Sequence, residues 1–472
     1  MDAAKPQKSK VKGIVIYFCI VGALGGLLFG LDQGFINGSL DFINRYWKLT
    51  TSGGESYASI MILGCVLGAL ISGWIAKSIG RKYTLVIAAL FFTVFSFWGA
   101  VTESYEILYW TRFCLGLGVG SASCIVPMYL SEIAPTRVRG AMISLYQFFI
   151  TIGIFGVYVS NAWIDSSFEA TWHNDTWRLM LGFLGIPAIV MLILMFTIPR
   201  TPRFLILKKK DDEAKKVLKK TLATEEECIK ELKEIKESLA QDEKLKSSGA
   251  LRNLLGKSYF KKVLLLGIMI QLFVQPLTGI NTIIYYSGII FKSAGMSNPA
   301  TGTILVGLTN VLATIIALVL IDKYGRKPLM YSGLILMIIS LVINGTLFLY
   351  SSHGAFGQIA LVVFTLLFII GFAYSCGPIA WVICAEIFPL EGRDFAMTIT
   401  SAVNWVGNYF VIRFSLTIMN SLGGSFLFYM FAVFCVIGLI IMKYFTPETK
   451  GVSLEKIEMN LKAGKRLKNI GI

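Results

Sequence analysis

Long stretches without a charged side chain constrain this chain more than any other feature. The runs from Tyr83 to Val101 and from Val263 to Phe291 contain none. An α-helix needs roughly 20 apolar residues to cross the hydrocarbon core of a bilayer, and a strand-rich soluble core has no use for runs of that length. With 55% hydrophobic and 15% charged residues and a mean hydropathy of +0.68, the chain is too apolar for a soluble protein of 472 residues. Charge gaps and hydropathy divide it into twelve spans: 13–40, 57–76, 83–101, 107–131, 140–162, 178–199, 261–291, 301–321, 328–350, 357–385, 395–420 and 424–446. The expected fold class is an all-α membrane protein. The first apolar run is too long for a signal peptide and reads as an ordinary uncleaved span.

The formal charge of +16 is a matter of topology, not of nucleic-acid binding. Of the 44 Lys and Arg, only Arg45, Lys48, Arg178 and Lys292 fall on the side opposite the termini, while Arg112 and Arg413 lie within spans. By the positive-inside rule both termini are expected in the cytoplasm. The eight Cys form no CxxC or Cys/His spacing, and His173 and His353 map to loops, so no metal or other cofactor is expected.

Two halves of the chain repeat one another. "SIGRK" at 78–82 answers "KYGRK" at 323–327, and "EIAPTRVR" at 132–139 answers "EIFPLEGR" at 386–393. Matched loops in matched places indicate a duplicated six-span unit, an architecture of transporters whose site lies where the repeats meet. The expected organisation is a six-helix bundle over 1–199, a cytoplasmic linker with amphipathic helices over 200–260, a second bundle over 261–446 and a cytoplasmic tail over 447–472. In the linker, Ile229, Leu232, Ile235 and Leu239 recur at helical spacing. "GKS" at 256–258 resembles the end of a phosphate loop, but Leu251 stands where that loop needs Gly, so the match is false.

Three groups of residues carry chemistry. Asp32 is the one charge between Gly13 and Leu40, and Arg112 sits alone in the fourth span. At 1.5 Å per residue they lie about 13 Å and about 9 Å in from the same end of their helices, at similar depth. A charge at membrane depth costs about 2.5–3.5 kcal/mol by insertion scales. The pair reads either as a structural salt bridge or as a proton site, where Arg112 keeps Asp32 ionised and their separation lets desolvation favour the acid. Gly22, Gly26, Gly30, Gly34 and Gly38 recur every fourth residue around Asp32, as do Gly116 and Gly120 beyond Arg112, the pattern of close helix packing. Second come the amides Gln147, Gln271, Gln275, Asn281, Asn310, Asn404 and Asn408 in apolar spans. An amide both donates and accepts, as a ring of sugar hydroxyls requires, and Trp381 and Trp405 offer faces for a sugar's C–H surface. Amides also glue helices, and any single one has that alternative. Third, Arg81, Lys82, Glu132, Arg137 and Arg139 in one half, with Asp322, Arg326, Lys327, Glu386 and Arg393 in the other, form a candidate charge latch on the terminal side.

With "GLLFGLD", two "GRK" loops, "RFCLGLGVG", "PMYLSEIAPTRVRG", "TGIN" followed by "YY", "GPIAW", "NW" and "PETKG", the sequence resembles the sugar porter family of the major facilitator superfamily over essentially its whole length. The resemblance implies a twelve-helix fold and sugar contacts at Gln147, Gln275, Asn281, Asn310, Trp381, Asn404 and Trp405. It also implies pocket and gate aromatics at Phe29, Tyr285, Tyr286 and Phe372. Proton-coupled members carry an Asp at the position of Asp32 and an Arg at that of Arg112. The implied protein is no enzyme but a hexose symporter, with galactose or glucose as first substrates, working as a monomer in the cell inner membrane, driven by protons and without a cofactor. A passive facilitator and a non-transporting sugar sensor are the alternatives; sensors tend to carry long signalling tails. Three departures stand out. Pro276 replaces the family's second Gln, with Gln271 one turn earlier as a candidate substitute; Arg200 replaces the acid of the "PESPR" loop; Arg413 has no counterpart.

Overall fold

The computed structural model describes residues 12–135, 138–247, 254–350, 354–389, 392–450, 452 and 454–471. Arg137, His353 and the side chain of Asp322 lie outside the described residues. No strand occurs among the described residues. The first six membrane helices are α1 (Gly13–Trp47), α2 (Thr51–Ile79), α3 (Arg81–Val101), α4 (Tyr105–Ile133), α5 (Arg139–Trp172) and α6 (Thr176–Met195). Three helices follow outside the membrane: α7 (Pro202–Leu207), α8 (Asp211–Thr221) and α9 (Glu225–Ser247). The second membrane group comprises α10 (Ser258–Phe273), α11 (Ile280–Ser293), α12 (Pro299–Tyr324), α13 (Arg326–Leu349), α14 (Ala355–Gly371), α15 (Gly377–Ile387), α16 (Arg393–Leu422) and α17 (Gly424–Tyr444), with α18 (Leu454–Lys462) behind it.

Among the described residues, eleven segments have the length and hydropathy of a membrane span. The twelfth is α16, long enough at 30 residues, whose hydropathy is lowered by Asn404, Asn408 and Arg413. Helices satisfy every backbone polar group within the segment, which hydrocarbon demands. Twelve crossings put the start of α1 and α18 on one face, here the terminal face, with the distal face opposite.

Two spans that hydropathy alone makes continuous are interrupted. The seventh stops at Phe273, passes a 3-10 turn at Pro276–Thr278 and restarts at Ile280 after Gly279, whose φ of +86° suits glycine. Pro276 supplies no backbone N–H to continue the helix, so the residue that replaces the family's Gln also opens the break. The tenth widens into a π turn at Phe372–Cys376. Such irregular backbone is tolerated at membrane depth only where protein or a cavity satisfies it.

The glycine stripes work by backbone contact. A Cβ on Gly30 would lie 2.0 Å from the Ile150 carbonyl oxygen, and one on Gly116 2.0 Å from that of Met61. Thus the α1 stripe seats α5 and the α4 stripe seats α2. In lipid, where apolar surface gains little by leaving one apolar medium for another, this close packing supplies the cohesion.

The duplicated loops have one geometry. Gly80 (φ +93°) and Gly325 (φ +89°) form the tight corners after α2 and α12. The arginines that follow pair with the glutamates of the second motif, Arg81 with Glu132 and Arg326 with Glu386, each at 2.8 Å. Outside the membrane, α9 is one long helix. Cys228 and Leu232 pack with Leu218 and Leu222 of the α8 side, while Ile229, expected on the apolar stripe, is 65% exposed. The other three members of the expected stripe, Leu232, Ile235 and Leu239, pack as partly buried residues against the core.

Candidate functional site

Asp32 of α1 and Arg112 of α4 meet inside the first helix group, both with no solvent exposure. Arg112 Nη1 donates to Asp32 Oδ1, and Nη2 donates to Oδ2 at 3.2 Å, a two-pronged contact. The guanidinium also lies over the rings of Phe35 and Tyr57, 5.5 and 5.6 Å from their centroids. Its Nε has no partner. The glycine stripe points Gly30 and Gly34 at α5, so Asp32, two residues from each, faces α4 instead. A carboxylate held this way has one guanidinium in place of solvent; that partner favours the charged form, and parting from it favours the acid.

The amides gather mainly in the second group, and four of them form a chain. Asn281 of α11 donates to Asn408 Oδ1; Asn408 donates to Asn404 Oδ1 at 2.9 Å; Asn404 donates to Gln271 Oε1 at 3.0 Å. Gln271 Nε2 ends the chain on Cys384 Sγ at 3.7 Å. Gln271 is fully buried with both amide ends engaged, so in this conformation it orients Asn404 and presents nothing to a ligand. Gln275 donates to the carbonyls of Cys376 and Gly377, at 2.6 and 3.0 Å, tying the break in span seven to the π turn in span ten. Gln147 on α5 and Asn310 on α12 stand apart from this chain, and neither side chain hydrogen-bonds to the described protein. Phe29 of α1 and Trp405 of α16 meet across the two groups, 5.5 Å between ring centroids. Trp381 and Phe372 are partly exposed, whereas Tyr285 and Tyr286 are buried, the latter donating to the Ile412 carbonyl at 2.8 Å.

The two groups are joined at the distal face. Asn37 of α1 donates to the Ile284 carbonyl at 2.9 Å and to Ser287 Oγ at 2.7 Å, and accepts from the Gly288 N–H at 3.2 Å. Tyr158 of α5 donates to the same Ile284 carbonyl at 2.6 Å, and Lys292 pairs with Asp41 at 2.8 Å. A second seam joins α2 to α16. Asn37 and Tyr158 were missed in the sequence; Asn37 carried the same signal as the other amides, a polar residue in an apolar run.

The contacts between the groups given above lie at this face. On the terminal face, the latch pairs Arg81–Glu132 and Arg326–Glu386 each stay within one group, Arg139 reaches Glu231 of α9 at 3.4 Å, and Arg393 donates to the Phe388 carbonyl at 3.1 Å. Arg200, in place of the expected acid, lies over the Tyr83 ring at 4.8 Å. Glu448 of "PETKG" closes the start of α13, accepting N–H groups of Arg326 and Lys327 at 3.2 and 2.9 Å. Burial pushes its carboxyl up, but these and the N–H groups of Lys450 and Thr449 hold it below the usual carboxylate range.

Residues 18–461 match the family described as sugar (and other) transporter. The chain belongs to this family. It is 42% identical over 475 residues to the galactose-proton symporter of Escherichia coli K12, covering 100% of this chain and 99% of that protein. The arabinose-proton symporter of the same strain is 38% identical over 463 residues, covering 97% and 95%. Among solved structures, the xylose transporter XylE from E. coli in a partially occluded inward-open conformation superposes with a TM-score of 0.81 at 30% identity, over 94% of this chain and 100% of that one. The transporter is thus a multi-pass membrane protein with the twelve-helix major facilitator fold, and its family moves solutes rather than transforming them.

Proposed function

We propose that this transporter is a proton-coupled symporter that imports a hexose, galactose or glucose, across the inner membrane as a monomer, with the terminal face in the cytoplasm. The observation that carries the reading is the fully buried, two-pronged Asp32–Arg112 pair. Similarity to symporters of galactose, arabinose and xylose supports the substrate class, and the abundance of Lys and Arg near the terminal face supports the orientation.

Asp32 is the proton acceptor and Arg112 its modulator. With the site open outward, Asp32 parts from Arg112 and takes a proton from outside, and sugar hydroxyls bind Gln147, Gln275, Asn281, Asn310 and Asn404 against Trp381 and Trp405. Rocking of the two helix groups then closes the distal seam through Phe29, Tyr285, Tyr286 and Asn37. Arg112 returns to Asp32 and expels the proton inward, since the guanidinium favours the anion. The conformation described here, distal seam closed and ion pair formed, corresponds to the state after proton release. In the opposite state the terminal-face carboxylates and arginines re-pair across the groups. One proton crossing 100 mV releases about 2.3 kcal/mol, which at about 1.4 kcal/mol per tenfold supports roughly fifty-fold accumulation.

Wild type and Asp32→Asn, reconstituted in liposomes under an inward proton gradient, test the reading through uptake and counterflow of labelled galactose and glucose. Wild type is expected to accumulate sugar and Asp32→Asn only to exchange it. Equal accumulation by both makes Asp32 structural; exchange without accumulation by wild type makes the protein a passive facilitator.

A further inference from the structure

Arg413 is the charge that the family resemblance leaves without a role, and the structure gives it one. It projects from the distal third of α16 toward the first turns of α2. Its Nη1 lies 3.6 Å from Glu55 Oε2, and its Nη2 donates to Ser52 Oγ at 2.9 Å. Glu55 has no solvent exposure. Its Oε1 accepts the backbone N–H of Thr417 at 2.9 Å, and its Oε2 accepts the Thr417 hydroxyl. One turn further out, Asn420 donates to Thr51 Oγ1 at 3.1 Å. Hydropathy alone begins span two at residue 57, outside which Glu55 falls; α2 in fact begins at Thr51, capped by Thr50, and carries the carboxylate into the seam.

The two distal seams differ in kind. The seam of α1 and α5 with α11 is built from neutral amide, hydroxyl and backbone contacts plus Lys292–Asp41, whose side chains are 66% and 39% exposed. The seam of α2 with α16 buries a carboxylate completely, and every contact of that carboxylate comes from the opposite helix group. Separation of α2 from α16 strips all of these contacts at once and gives Glu55 water in exchange. A buried anion without a charge partner is far costlier than a buried neutral amide, so the closed seam depends on Arg413 in a way the open one does not.

We propose that Glu55 and Arg413 form a charge clasp on the distal gate, positioning residues that set how readily the sugar site opens to that side. The clasp rests on the alternating-access reading above. It also makes an asymmetric demand: loss of Arg413 alone leaves Glu55 buried without a cation, whereas loss of the Glu55 charge leaves Arg413, 22% exposed, free to hydrate. Removing both relieves the conflict.

Hydrogen–deuterium exchange on the full-length protein in nanodiscs, with sugar counterflow measured alongside, tests the clasp. In Arg413→Ala, peptides covering 49–58 and 411–422 are expected to exchange about tenfold faster than in wild type, while 139–149 at the terminal end of α5 becomes more protected as that side closes. Glu55→Gln gives a smaller change, the double variant Glu55→Gln/Arg413→Ala falls closer to wild type than Arg413→Ala does, and Arg413→Lys restores most of the protection. Unchanged exchange at the two seam peptides overturns the clasp, as does faster exchange at both faces, which is general loosening, or a double variant worse than Arg413→Ala. Absence of counterflow in wild type overturns the transport reading instead, and is separable because it needs no variant.

Discussion

Gly30 offers the sharpest test of how the helices around Asp32 are held. A Cβ at this position would sit 2.0 Å from the Ile150 carbonyl oxygen and 2.9 Å from both the Ile150 carbonyl carbon and the Ile154 nitrogen. An ordinary carbon–oxygen contact is about 3.3 Å, so Gly30→Ala demands that α1 and α5 part by about 1.3 Å. No rotamer relieves this, because the added carbon is a Cβ and its neighbours are backbone. Overpacking costs about 1–3 kcal/mol, and a backbone clash belongs at the upper end. At about 2–4 °C per kcal/mol for a unit of this size, the apparent melting temperature is expected to fall by roughly 6–12 °C. Gly153→Ala, which meets the Leu27 carbonyl oxygen at 2.4 Å, should behave alike. Gly156→Ala is the control: its Cβ has nothing within 4 Å, and the helix propensity of Ala makes it neutral or slightly stabilising. Thermal unfolding of the three variants in detergent, followed by intrinsic fluorescence, reads the difference. If Gly30→Ala and Gly156→Ala melt together, the stripe is not a backbone contact and the account of how α1 is seated, and with it the aim of Asp32 at α4, fails.

Two further outcomes follow from particular contacts. Asn404→Leu removes the middle of the amide chain and leaves Asn408 Nδ2 and Gln271 Oε1 without partners, at about 1–3 kcal/mol per orphaned group. Calorimetric titration with galactose is expected to show at least a tenfold weaker affinity, and an unchanged one would remove the chain from the sugar site. Glu448, whose carboxyl is held below the ordinary carboxylate range, adds stability that is fully present above that range and is lost as the pH falls through its lowered folded value. Glu448→Gln is therefore expected to melt below wild type at pH 7, by an anion-at-helix-start contribution of about 1 kcal/mol, with the gap closing on acidification; a gap that widens in acid contradicts the sign.

Much of the site was legible because hydrocarbon makes polar residues conspicuous. Asp32 and Arg112 stood out as lone charges at matching depth, and the structure pairs them. The repeat letters of "GRK" and "EI" singled out Arg81, Glu132, Arg326 and Glu386, but gave no sign that each Arg pairs within its own half in this conformation. The amides were visible one by one, whereas the order Asn281, Asn408, Asn404, Gln271 was not, because it runs between helices distant in sequence. Glu55 escaped notice because a charge near the end of a span looks like a loop residue until its neighbours across the seam are known.

The sequence by itself determined the solvent, the number of crossings and the polar residues at membrane depth, because the bilayer taxes each residue locally and hydropathy records that tax. Tertiary structure alone decided which polar groups satisfy one another, where the seventh and tenth helices yield, and which face of the molecule is closed. Those depend on contacts between segments hundreds of residues apart, such as Arg413 with Glu55, and on a balance between two packings of one chain that no local pattern encodes.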